Sequence, residues 1–563
     1  MNKVVVLGLD GATFEMLNPM LDTGRLPVLA RLLRTGARGI LASSLPPYTC
    51  PAWPTMFTGR NPGAHGVVFW RLVEPDAVAS RTATLVDVAC PRLWTLLNQA
   101  GVRTGIFNLP VTYPAEPVDG FMVSGYLAPR DAPQAVQPVR LREAFATAFP
   151  DYDLNGQVPT EYRDKRSTRP KAMAYLRHGL LHRQAALEWL LKREPVDFLW
   201  VVLETIDRIG HEAFGLVTPG SLVYDTEEGR EAREMALTVL ETMDRVLDRI
   251  LHWMGPDPTV LVVSDHGFQW FDRTFDLQGW LVANGFMTPD RRLRTRTALL
   301  ARSLVVQTLG WGAWAWIRSF LERFSGRHGE KKDPCRATWG RDATRIWDWP
   351  SSKTWFGPVF EWGVRYNARR CRERGTQEAE ERARILHDLR ERLSAAADPA
   401  TGDPVFRLVK PREEAYAGPY VCRAADLILV PKPHVSCVNS PGVGASEATG
   451  WLLPVSEDAV RGGNHYGDGV FAATGGPFRR GEVTGIGILD IMPTVLHLFG
   501  LRVPADLEGR IVEETFDPSF RAAHPVQRSA GAFKPGETAS PGIACTADEG
   551  QRMDRRPEEQ GSL

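Results

Sequence analysis

Short apolar runs alternate with longer amphipathic stretches through the first half of the chain. "VVVLGL" at 4–9 is followed by "LPVLARLLRTG" at 26–36, where Pro27 suits a first helical turn and Gly36 a stop. "PRLWTLLNQAG" precedes "TGIFN" at 104–108. A helical pattern near 170–193 leads into "DFLWVVL" at 197–203, and another near 227–254 leads into "TVLVVS" at 259–264. Short β-branched runs set between helices predict an α/β fold, with a mainly parallel sheet covered by helices on both faces. In such sheets the active groups collect at the C-terminal ends of the strands.

Residues 290–340 break this rhythm. "RRLRTRTALLARSLVVQTLGWGAWAWIRSFLERF" is helical in pattern, basic at its start and rich in tryptophan. Arg302 and Gln307 interrupt any membrane span. The expected structure is a packed helical cap, with Trp311, Trp314 and Trp316 as apolar area and Arg291, Arg292, Arg294 and Arg296 as phosphate-attracting charge. The alternative is an amphipathic segment on a membrane surface, giving peripheral membrane contact through 290–325. "ADLILV" at 425–430 and "VFAATG" at 470–475 read as returning core strands. Beyond about 515, Gly, Pro, Ser and charged residues dominate without periodicity, which predicts a disordered tail. The expected division is 1–285 and 421–515 as two parts of one core, 286–420 as a cap or insert, and 516–563 as the tail.

Composition changes this picture little. With 43% hydrophobic and 24% charged residues, the 563-residue chain is ordinary for a globular protein. Lys+Arg and Asp+Glu both number 67, so net charge is zero. That provides no global attraction for nucleic acid, and none is expected as a partner. Any anion site must be local. The seven cysteines are scattered, odd in number and without a CxxC pair, which argues against a disulfide framework or a Cys-type zinc site and for a reducing compartment. The first apolar run ends at Asp10, too short for a signal peptide, so a cytoplasmic location is expected.

The candidate chemistry lies at the ends of the predicted strands. In "SLPPYTCPAWPTMFTG" at 44–59, Pro51 marks a helix start and places Thr49 or Cys50 at a helix N-terminus, where an anion is favoured. Asp10 ends the first strand. "ETIDRIGHE" follows the 197–203 strand and carries Asp207 and His211, spaced i,i+4 on one helical face. "VVSDHG" ends another strand with Asp265 and His266, and "GGNHYGDG" supplies His465 in a glycine-rich loop. His65 in "NPGAHG" reads as a structural residue. Carboxylates and imidazoles together suit zinc or manganese. Two such ions roughly 4 Å apart can clamp the attacking and leaving oxygens of a displaced phosphoryl group.

The ordered set Asp10, Thr49, Asp207–His211, Asp265–His266 and His465 resembles the alkaline phosphatase superfamily. The chain is most similar to its type I phosphodiesterase/nucleotide pyrophosphatase family, in the prokaryotic phosphohydrolase-or-phosphomutase branch. "GLDGATFEML", "TCPAWPTMFTGRNPGAHGV", "FNLPVTYPAEPVDGFMVSG", "DRIGH", "SDHGF" and "ILDIMPTVLHLFGLRVPADLEGR" carry the resemblance, over roughly 3–512. It implies an alkaline-phosphatase-like sheet and two divalent ions, zinc or alternatively manganese. Asp207, His211 and His465 would hold one ion. Asp10, Asp265, His266 and the Thr49 oxygen would hold the other. Thr49 aligns with the family's "T-x-P" nucleophile, which favours it over Cys50. The implied reaction is hydrolysis of a phosphodiester or pyrophosphate bond in a small-molecule phosphate ester or nucleotide, through phosphothreonine. A phosphomutase on the same site is the alternative, followed by a non-catalytic protein that binds a phosphoryl ligand. One position departs: the family resembles "T-x-P-N" and this chain has Ala52. Arg60, Asn61 and Arg208 are the nearest replacements in sequence for the missing phosphoryl-oxygen contact.

Overall fold

The computed structural model describes residues 3–73, 80–129, 132–163, 166–289, 348, 350–356, 362–368, 378–438, 451–455 and 460–531. Among these, ten strands form a central sheet: β1 (Val4–Leu9), β2 (Ala37–Ala42), β3 (Thr104–Leu109), β4 (Gly120–Ser124), β5 (Val136–Gln137), β6 (Phe198–Leu203), β7 (Thr259–Val263), β8 (Gly469–Thr474), β9 (Gly481–Glu482) and β10 (Ile486–Gly487). Their order is β9-β2-β8-β7-β1-β6-β3-β4-β5, with β10 also on β2. The middle of the sheet is parallel, from β7 through β1, β6 and β3 to β4. β8 runs antiparallel to both of its neighbours.

Why the central strands read as unbroken apolar runs is visible in their two faces. In β1, Val5, Leu7 and Leu9 enter one core while Val4 and Val6 enter the other. The first core is closed by α1 (Pro27–Arg34), α3 (Arg169–Arg193), α4 (Thr205–Val217) and α5 (Glu227–Met254). The second is closed by α2 (Thr49–Thr58) and α6 (Ile491–Leu498) with the short helix Leu93–Gln99. The doubly covered α/β sheet predicted from the sequence is the fold observed.

A third apolar cluster, around Phe275, Leu281, Val364, Leu389 and Leu427, lies apart from these two. It is built on a four-stranded antiparallel sheet, in the order Thr354–Phe356, Gly363–Tyr366, Leu427–Pro431 and Phe406–Pro411. The helix Glu378–Ser394 packs on it through Ile385, Leu389 and Leu393. Two expectations are corrected here. The 425–430 run is not a central strand, because its antiparallel partners belong to this smaller sheet. The insert is also wider than 286–420, since its core draws on Phe275 before and Leu452 after those bounds. The helical cap expected at 290–340, and the membrane contact through 290–325, lie outside the described residues. Among the described residues, no helix is long and apolar enough to cross a membrane.

The expected tail is corrected at its start. Phe516 is buried against Phe478 and Phe520, and Arg528–Ser529 pairs with Val503–Pro504. The fold therefore continues past 516, and residues 532–563 lie outside the described residues. Cys422 is disulfide-bonded, whereas Cys50, Cys90 and Cys437 are free. That withdraws the cysteine argument for a reducing compartment.

Strand contact at the sheet edge admits no side chain at Gly36. A Cβ there would stand 1.8 Å from the Ala473 carbonyl oxygen of β8. Gly36→Ala should lower stability by about 1–3 kcal/mol. Gly481→Ala, with nothing within 4 Å of its Cβ, should change it by less than about 0.5 kcal/mol. Urea unfolding midpoints of the two variants check the difference.

Candidate active site

Parallel register brings the first two carboxylates together. Gly8 of β1 pairs with Val263 of β7, so two residues further on Asp10 lies beside Asp265. Leu9 pairs with Leu203 of β6, which puts the start of α4 on the other flank of Asp10. Gly11 has φ +69, and a Cβ on it would meet the Asp207 Cα at 3.0 Å, so the close approach requires glycine. The Asp207 N–H donates to the Asp10 carbonyl at 3.0 Å. Ser264 clips the loops together, accepting from the Ala12 N–H at 2.9 Å and donating to the His266 carbonyl at 2.7 Å.

Each of the paired carboxylates has one oxygen engaged and one bare. Trp53 Nε1 donates to Asp10 Oδ2 at 3.1 Å, and the Gly11 N–H donates to Asp265 Oδ1 at 3.2 Å. Asp10 Oδ1 and Asp265 Oδ2 are buried without a hydrogen-bond partner, 3.6 Å and 3.2 Å from His266 Nε2. Burial pushes both acids well above the usual carboxylate range. Asp265 and Asp207 add repulsion at Asp10, and Asp207 adds it at Asp265. The His266 Nδ1–H donates to the Gly267 carbonyl at 3.0 Å, so in the neutral ring Nε2 presents its lone pair to these oxygens.

Asp207 lies in the first turn of α4, with His211 one turn on. His465 arrives from far along the chain, through a two-residue antiparallel pairing of Asn464–His465 with Phe268–Gln269. Its Nε2 is 3.1 Å from Asp207 Oδ1 and 3.1 Å from His211 Nε2, and His211 Nε2 is 3.5 Å from Asp207 Oδ1. Burial opposes ionisation of Asp207, but the charges of His211 and Arg208 outweigh it and hold this carboxyl far below its usual range. Burial, with the neighbouring His266, pushes His465 down to about 3, which keeps its ring neutral.

Thr49 opens α2, after Tyr48 in extended conformation at φ −131 and ψ 147. Its Oγ1 lies 3.0 Å from His266 Nε2. The first turn is braced from behind by His65. Its Nδ1 accepts from the Val67 N–H at 3.2 Å, its Nε2 pairs with Thr55 Oγ1 at 3.0 Å, and Thr55 donates to the Pro51 carbonyl at 2.8 Å. Burial pushes His65 down to about 3, consistent with the structural role read from the sequence. The neighbouring Cys50 thiol is pushed well up by burial and by Asp10 and Asp265, which opposes the thiolate a nucleophile needs.

All seven predicted cluster residues converge. Asp10, Asp265 and His266 offer ligand atoms within 4.8 Å of one another, and so do Asp207, His266 and His465. His266 is shared by these two groups, whereas the sequence reading assigned it to one. Buried carboxylate oxygens without partners, opposite imidazole nitrogens, fit divalent cations of the zinc or manganese type. The three substrate-contact candidates separate. Arg60 and Asn61 lie just beyond the far end of α2, which is about 15 Å long at 1.5 Å per residue. Arg60 pairs with Asp506, and Asn61 caps the next helix and binds Glu508 at 2.8 Å. Arg208 alone joins the cluster, with Nη1 2.8 Å from Asp207 Oδ2. Sequence reasoning missed Trp53, Ser264 and Tyr126. The i,i+4 spacing of Thr49 and Trp53 on one helix face was the signal for Trp53; Tyr126, just past β4, matched only the rule that strand ends carry function.

The family model for type I phosphodiesterase / nucleotide pyrophosphatase matches residues 4–452. The chain belongs to that family, within the alkaline phosphatase superfamily. His465 lies beyond the matched span. Among solved structures, the chain is similar to a multiply substituted variant of the alkaline phosphatase PafA, at 13% identity and a TM-score of 0.50, over 92% of this chain and 99% of that one. That likeness is one of fold. No curated protein matches in sequence. Family and fold make the chain a phosphoesterase of a superfamily whose members use divalent metals.

Trp53→Phe keeps the aromatic packing and removes the donor to Asp10 Oδ2. It should weaken divalent-metal binding roughly 10- to 100-fold, as loss of a ligand's supporting hydrogen bond does, with little change in the unfolding midpoint. Metal titration followed by calorimetry checks this.

Proposed function

We propose that the chain is a two-metal phosphoesterase that cleaves a phosphodiester or pyrophosphate bond in a small-molecule phosphate ester or nucleotide, through a phosphothreonine on Thr49. One observation carries the reading. Two buried, unpartnered carboxylate oxygens converge with imidazole nitrogens on a threonine hydroxyl at a helix N-terminus. Asp207, His211 and His465 would hold one ion, and Asp10, Asp265, His266 and Thr49 the other. Zinc suits this nitrogen and oxygen donor set, with manganese as the alternative. Such ions lower the pKa of a bound hydroxyl and offset charge on the displaced oxygen.

The residues of the chain do the positioning. Thr49 Oγ1 gives its proton to water and bonds to phosphorus as the bond from phosphorus to the leaving oxygen breaks, and the leaving oxygen takes up that proton from the water. A second water then attacks the phosphothreonine, restoring Thr49 and releasing the phosphoryl product. The N–H groups opening α2 favour the negative charge gathered there. The Gly11 N–H, Trp53 and Ser264 fix the carboxylates and loops, so little reorganisation accompanies the reaction.

Thr49→Ala should reduce turnover of a phosphate-ester panel by roughly 10⁴-fold or more while leaving the fold intact. Cys50→Ala should cost less than about tenfold. An inactive Cys50→Ala beside an active Thr49→Ala would reverse the assignment of nucleophile. A separate test reads the metals. Protein supplied with excess zinc or manganese should retain two ions per chain. Asp207→Ala or His465→Ala should deplete one of them, and Asp265→Ala the other. Elemental analysis that never exceeds one ion in the wild type would refute the two-site reading.

A further inference from the structure

The position at which this chain departs from its family has a structural answer. Ala52 stands where the family pattern resembles asparagine, and its methyl group offers a phosphoryl oxygen no hydrogen bond. Arg208, on the turn of α4 that carries Asp207, is 9% exposed. Its guanidinium is fixed on three sides. Nη1 donates to Asp207 Oδ2 at 2.8 Å, Nη2 donates to the Asn155 carbonyl at 3.3 Å, and the group lies over the Tyr126 ring, 5.1 Å from its centroid. Asn155 is pinned in turn, donating to the Ala128 carbonyl at 3.0 Å and accepting from the Leu127 N–H at 3.0 Å. The loop that carries Tyr126 and the loop that carries Asn155 therefore hold the guanidinium together.

What this clamp leaves open is Nε. It is buried and has no hydrogen-bond partner among the described residues. Arg92, Arg169 and Arg183 also leave a buried guanidinium nitrogen without a hydrogen bond, but the Nε of Arg208 is on a side chain that touches the carboxylate cluster, where a ligand oxygen can complete it. Through Asp207 the guanidinium adjoins the proposed site: Asp207 groups with His266 and His465 as candidate ligands, and His266 Nε2 lies 3.0 Å from Thr49 Oγ1.

We infer that Arg208 supplies the phosphoryl-oxygen contact that Ala52 cannot, and that it selects a terminal, doubly charged phosphoryl group over a singly charged internal diester. The inference rests on the phosphoesterase reading and narrows it. A neutral amide in this place would hydrogen-bond either group. A guanidinium is cationic at every working pH, and its charge-assisted bonds to phosphate strengthen with the charge on the acceptor. A terminal phosphate, in a pyrophosphate or a monoester, carries one more negative charge than a diester at neutral pH. The rival role is that Arg208 merely holds Asp207 in place for metal binding.

The two roles separate in Arg208→Met and Arg208→Lys. Each metal-loaded variant is assayed with p-nitrophenyl phosphate and bis-p-nitrophenyl phosphate, and titrated with inorganic phosphate and dimethyl phosphate by calorimetry. Arg208→Met is expected to keep the wild-type metal content. It should lose roughly 100-fold in kcat/KM on the monoester and under about fivefold on the diester, and bind inorganic phosphate at least about tenfold more weakly. Arg208→Lys should recover part of both losses. Equal losses on the two esters, lost metal, or unchanged phosphate binding would each overturn the inference. If Arg208→Met does not fold, Tyr126→Leu, which removes the ring beneath the guanidinium, should lower the monoester-to-diester ratio; an unchanged ratio overturns the inference. Wild-type protein that cleaves neither ester, yet binds phosphate in an Arg208-dependent way, would sink the hydrolase reading and leave this contact standing.

Discussion

Two carboxylates forced side by side at the ends of parallel strands set the terms for the rest of this molecule. Register places Asp10 against Asp265, and the glycine between Asp10 and Ala12 lets Asp207 close in from the helix that follows the neighbouring strand. Burying a carboxylate without compensation costs several kcal/mol. The protein compensates in part, with an indole N–H for Asp10 and a backbone N–H for Asp265. The remaining oxygens both face the His266 imidazole. The surrounding apolar sheet, closed on both faces, supplies the stability that tolerates this arrangement.

The cluster is held by supports of different stiffness. Asp10 and Asp265 end central strands whose neighbours pair along their length, and Asp207 opens a buried helix. His465 rests on a two-residue pairing in a glycine-rich stretch. Tyr48 packs on its ring at 4.9 Å and Phe268 at 5.4 Å, so aromatic contact supplements a short ladder. Tyr48 also meets Trp362, from the antiparallel satellite unit, at 5.7 Å. The satellite thus reaches the residue beside Thr49.

Long, strongly periodic elements were read closely from the sequence. The helix expected near 227–254 is Glu227–Met254, and the strand expected at 4–9 is Val4–Leu9. The errors share a cause. An apolar run such as 425–430 looks the same whichever sheet it joins, because its partners are distant in sequence. The start of the tail was misplaced because Phe516 and Arg528–Ser529 gain their order from contacts with residues far behind them. Arg60 and Asn61 looked close to Thr49 by number, but a helix axis carries them away from it, whereas Arg208 arrives on α4, a different helix.

By itself, the sequence determined the residue types of the cluster, their positions just past apolar runs, and the chemistry those types support. Side-chain pKa logic and strand-end position are local properties, so they are legible in short windows. The tertiary structure decided which oxygens are left bare, which imidazole both groups share, and which cation joins the carboxylate cluster. Those outcomes depend on strand register and on contacts between residues more than two hundred positions apart, which no local pattern encodes.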